Sequence, residues 1–149
     1  MDQAQTSKWI GLLTLAIVAA ALAMGVHRFQ NGDVAFCRRA FTDLAKGRQS
    51  VQRRIDWEHF RALDTNIGVA YAALPNDRER ADYRDAFVSQ FAQGFQSSGS
   101  RAQTLSRWKV QERADGHTVV AGSDETGNLT LLFQIPQAGR KRLEAIQWK

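Results

Sequence analysis

Apolar residues along this chain follow three patterns, and each predicts a different kind of element. Residues 9–26, WIGLLTLAIVAAALAMGV, are eighteen positions without a charge. A bilayer-spanning helix needs ~20 mainly apolar residues. Trp9 stands where an amphipathic ring meets the headgroups, and His27 can sit at the opposite interface. The expected layout is a tail at 1–8, a transmembrane helix at 9–27, a linker at 28–32 (RFQNG) and a folded domain at 33–149. A cleaved export signal is the alternative, because Lys8 and Ala21-Leu22-Ala23 loosely match its basic start and small-x-small site. The run is long for that, which favours a retained anchor.

The second pattern is helical. Asp33 is placed to cap a helix in which Phe36, Cys37, Ala40, Phe41 and Leu44 share a face, with Gly47 as the stop. A short turn starting near Gln49 or Ser50 carries Val51 and Ile55. Asp56 looks like another cap, opening a helix with Trp57, Phe60 and Leu63. Thr65 or Asn66 opens IGVAYAAL, which Pro75 ends by disfavouring the helical region at Leu74. Asn76 with Glu79 resembles a capping box. It starts the longest element of the domain, whose Tyr83, Phe87, Phe91 and Phe95 recur every four residues with Val88 and Ala92 widening the face.

After the loop at Ser97-Ser98-Gly99-Ser100 the period drops to two. Four strands are expected, over Leu105–Glu112, Thr118–Ala121, Leu129–Ile135 and Leu143–Trp148. Turns fall at Asp115-Gly116, Thr126-Gly127-Asn128 and Gln137-Ala138-Gly139. Helices followed by an antiparallel meander make the domain α+β.

That order resembles the nuclear-transport-factor-like (cystatin-like) superfamily. The stretches FCRRAFTDLAKG and IDWEHFRAL are similar to the opening of uncharacterised bacterial members. The resemblance spans 33–149 and implies a cone, a curved antiparallel sheet wrapped on the long helix. Membrane-anchored relatives of this fold include periplasmic scaffold domains of secretion machines, and soluble ones include ketosteroid isomerases and dehydratases. The chain departs from the family in lacking an obvious strand within its helical half.

Charge modifies this picture little. The net charge is +5, carried by the part after residue 27 and interleaved with Asp and Glu. This suits an acidic partner or lipid surface better than nucleic acid. Arg140-Lys141-Arg142 is the densest basic run and a candidate contact for a partner or for lipid. A lone Cys37 allows no intramolecular disulfide, and on its apolar face it reads as a buried thiol. His27, His59 and His117 have no metal-ligand spacing, and no cofactor is expected.

An isomerase-like site would need a carboxylate in an apolar cone, where desolvation raises its pKa. Asp56 with His59 is the candidate, set against a plain capping role for Asp56. Glu58 and Asp85 are the other carboxylates whose placement would matter. Tyr83, Phe87, Phe91, Phe95 and Trp108 read as core, or as the wall of a pocket if the cone has one. In the anchor, Gly11, Ala16, Ala20 and Ala23 would permit close helix packing.

The function expected is a non-enzymatic, membrane-anchored accessory or scaffold subunit of an inner-membrane or envelope complex. Its carboxyl domain would be exported to the periplasm. Its partners would be membrane subunits and the bilayer, with a homo-oligomer allowed. The alternatives are a small-molecule-binding or isomerase-like enzyme using that carboxylate, and a peripheral sensor or inhibitor acting through the sheet.

Overall fold

The structure, a computed structural model, describes the backbone of residues 3–99 and 104–149, and the side chains of 18–25, 28, 32–99 and 104–149. The chain divides into two units, residues 1–32 and Asp33–Lys149.

Helix α1 runs Gln3–Ala45. Residues 28–32, expected as a short linker, are therefore helical. Asp33 caps nothing: it lies inside α1 with its side chain buried. Among the described residues no helix is long and apolar enough to cross a membrane. The expected span at 9–27 lies largely outside that description.

In the second unit α1 buries Cys37, Ala40, Phe41 and Leu44, one face at helical spacing. Gly47 ends the run at φ 69, a left-handed turn that glycine adopts without penalty. A 3-10 helix at Gln49–Arg54 follows and buries Val51. The helix expected after Asp56 does not form. Residues 57–59 turn, and two short strands follow, β1 Arg61–Ala62 and β2 Thr65–Asn66, joined through Leu63 at φ 54.

Helix α2 (Ile67–Ala72) is capped by the Asn66 side chain, which accepts from the Val69 amide at 3.2 Å. Helix α3 (Asp77–Ser97) is capped by Asn76, whose Oδ1 accepts from the Glu79 amide at 2.9 Å while its Nδ2 donates to Glu79 Oε1 at 3.0 Å. This is a capping-box variant in which Glu79 answers the side chain of the cap.

Strands β3 (Arg107–Ala114), β4 (His117–Ser123), β5 (Thr130–Pro136) and β6 (Ala145–Trp148) form the expected antiparallel meander. Asp115 and Gly116, at φ 52 and 78, make the tight β3–β4 turn. The sheet has six strands, ordered β2-β1-β6-β5-β4-β3. Strand β1 joins β6 in parallel, Arg61 against Ala145 and Ala62 against Ile146. The sheet is thus mixed, where a purely antiparallel one of four strands was expected.

The core lies between α1, α3 and the inner face of the sheet. Phe41 is its centre, with ring centroids 5.3 Å from Phe95 and 5.6 Å from Phe133. On α3 the fully buried positions are Val88 and Ala92. The aromatic stripe Tyr83, Phe87, Phe91, Phe95 is half-buried and forms the flank of that face.

Candidate functional site

Two cavities follow the aromatic flank of α3. One, of about 390 Å³, lies between α3 and the β1–β2 turn, with Leu63, Ile67, Tyr83, Phe87 and Phe91 on its wall. The other, of about 280 Å³, is walled by Phe91, Phe95, Leu131 and Trp148. The stripe therefore belongs partly to the core and partly to cavity walls. Trp108 lines neither cavity. It lies 5.2 Å from Phe133 between ring centroids, and its indole covers Gly122 so closely that a Cβ there would stand 2.9 Å from the ring.

No carboxylate or imidazole lines either cavity. Asp56 and His59 do meet, Nδ1 to Oδ2 at 3.1 Å, held by the turn in which the His59 amide donates to the Asp56 carbonyl. The imidazole is 72% accessible and the carboxylate 23%. The pair can orient the ring, but the imidazole faces solvent and neither group lines an apolar cavity. Glu58 is exposed, and exposed Asp85 accepts from the Gln52 amide. The four groups considered for an isomerase-like site do not converge.

The basic run 140–142 does not act as one patch. Arg140 is exposed. Lys141 reaches the buried Asp33, Nζ to Oδ1 at 2.8 Å, and Arg113 bonds the other oxygen at 2.8 Å. One carboxylate thus ties α1 to β3 and to the loop before β6. Arg142 turns inward, and its Nε is buried without a hydrogen-bond partner.

With Arg140, Arg142 lines a third cavity of about 330 Å³, completed by Arg53 from the 3-10 helix and Arg84 from α3, over Ile55 and Trp57. Sequence reasoning missed Arg53 and Arg84. They lie far apart in the chain and meet only because the 3-10 helix packs on α3, where the Arg84 Nε donates to Gln52 Oε1 at 3.2 Å. The visible signal was Arg53-Arg54, two cations at the end of a short turn. Arg54 is used structurally, pairing with Asp43.

Burial pushes the Cys37 thiol up from 9.0 to about 12, with the nearby Asp33 charge adding to the rise and Lys141 opposing it. It is the opposite of an activated nucleophile. Among the described residues no cluster of His, Cys, Asp and Glu could hold a metal ion. In the N-terminal unit Ala20 and Ala23 are exposed, whereas the side chains of Gly11 and Ala16 lie outside the described residues. Comparison with protein-family models, curated proteins and solved structures finds no match to the chain.

Proposed function

We propose that the chain is a single-pass, membrane-anchored accessory subunit that works by association, with residues 9–27 in the inner membrane and residues 33–149 folded on its periplasmic side. One observation carries the reading. Every side chain from Val18 to Gly25 is exposed and none is polar, with Val18, Leu22 and Met24 at 51%, 65% and 60% accessibility. An exposed apolar surface of that kind needs an apolar partner, lipid or another helix. The uncharged sequence continues back to Trp9. In the second unit, the order of helices, long α3 and meander supports a cystatin-like cone, the architecture that the resemblance implies.

The test is extraction of native membranes with alkaline carbonate, then with mild detergent, and identification of what copurifies. The chain should resist carbonate, carry its full N-terminal mass and leave detergent in a complex. Ala20→Leu with Ala23→Leu should release it from that complex while the domain stays folded. A mature chain starting near Met24, or a monomer in mild detergent, would refute the reading.

The cavities on the α3 flank favour a second reading, binding of a small apolar molecule. In an isomerase-like version of it, turnover would vanish with Asp56→Asn. The exposure of the Asp56–His59 pair weighs against that version.

A further inference from the structure

We propose that the arginine-lined cavity binds an anionic phosphate group. Four guanidinium side chains, from Arg53, Arg84, Arg140 and Arg142, surround one space of about 330 Å³, and no carboxylate lines it. None of the four pairs with a carboxylate among the described residues. Among the described residues the hydrogen-bond partners of Arg84 are neutral, Gln52 Oε1 and the Tyr71 hydroxyl at 2.7 Å. The Nε of Arg142 is buried with its donor unused. Like charges gathered this way repel, and a buried donor left unused costs stability. A bound anion relieves both.

Phosphate fits better than chloride or a lone carboxylate. A guanidinium offers a planar fork that two phosphate oxygens can accept, and several forks can share one tetrahedral group. The space exceeds one phosphate, and Ile55 and Trp57 give its floor an apolar part. The ligand is therefore a phosphate carrying a small organic body. Two sources have that chemistry: a free phosphomonoester, and the phosphodiester headgroup of a lipid. The inference stands independently of the membrane reading.

The experiment is isothermal titration of the full-length protein in mild non-ionic detergent. The probes are glycerol 3-phosphate, a monoester, and glycerophosphoglycerol, a diester that reproduces a lipid headgroup. Saturable binding of either supports the site. A tighter monoester identifies a soluble ligand, and a tighter diester a headgroup. Arg142→Met, which keeps the aliphatic stem, should weaken binding roughly tenfold or more, as expected for loss of a charged hydrogen bond. Lys109→Gln, the same charge change on exposed β3, should leave binding within about twofold. If Arg142→Met unfolds, the double variant Arg53→Gln with Arg140→Gln carries the test from exposed side chains. No saturable binding of either probe, or equal weakening by Lys109→Gln, overturns the proposal.

Discussion

Asp33 offers the sharpest test of the packing. Its side chain is 3% accessible and accepts from Arg113 and Lys141, each at 2.8 Å. Replacing it with Ala removes two charge-assisted hydrogen bonds and takes the shared carboxylate from two part-buried cations. Breaking a buried ion pair costs ~3–5 kcal/mol. Here the cations are 25% and 36% accessible and can recover some water, and Arg113 keeps the Thr118 hydroxyl at 3.2 Å. The expected loss is thus about 3 kcal/mol, the lower end of that range.

With a urea slope of about 1.5 kcal/mol per molar, the midpoint should fall by about 2 M. The assay is equilibrium unfolding followed by tryptophan fluorescence, Trp57 and Trp108 both being packed in the domain. Asp33→Asn, which keeps the volume and one acceptor, should cost about half as much. A cycle with Arg113→Met should show coupling of ~1–2 kcal/mol. Raising salt to half-molar should change this little, because a buried pair is poorly screened. A loss below about 1 kcal/mol for Asp33→Ala, or no coupling to Arg113, would refute the idea that this carboxylate cross-links three segments.

Further outcomes follow from the same structure. Because the Cys37 thiol is raised from 9.0 to about 12, its contribution to stability should be complete below pH 9 and lost as pH climbs from 9 to 12, by up to ~4 kcal/mol. Thiol reagents at neutral pH should leave it unmodified until the domain unfolds, and prompt modification would contradict its burial. Gly68→Ala would drive a Cβ into the Glu58 carbonyl and should cost at least ~2 kcal/mol, read by thermal melting; an unchanged melting temperature would count against that close approach. Phe133→Ala, fully buried, should cost ~3–5 kcal/mol, and half-buried Phe91→Ala roughly half of that. Equal losses would place the stripe back in the core.

The parts of the fold legible in the sequence were those set by neighbours in sequence. The Asn76 cap, the Gly47 stop, the four-residue repeat on α3 and the two-residue alternation of β5 all depend on a few adjacent side chains. The segment IDWEHFRAL was misread because its apolar residues satisfy helical spacing while its conformation is decided elsewhere. The Arg61 amide donates to the Glu144 carbonyl and the Leu63 amide to the Ile146 carbonyl, partners that no local pattern reveals. Asp33 was misread for a similar reason: its type suits a cap, but its two cations come from β3 and a distant loop. The arginine cavity was half legible, since Arg140 and Arg142 lie together in the chain and Arg53 and Arg84 do not.

The parallel seam between β1 and β6 also orders events in time. A chain made or exported from its amino end presents Arg61 and Ala62 early, as a two-residue hairpin too short to persist alone. Their partners Ala145 and Ile146 emerge only after α3 and strands β3, β4 and β5. Until then Ile146, a buried member of the core, is missing from beside Phe133, and the strand β5 that covers Phe41 keeps one edge open. Closing so long a loop is slow. Folding of the domain should therefore be late and all-or-none with respect to β6, and a nascent chain stalled before Ala145 should remain protease-sensitive however well its helices have formed.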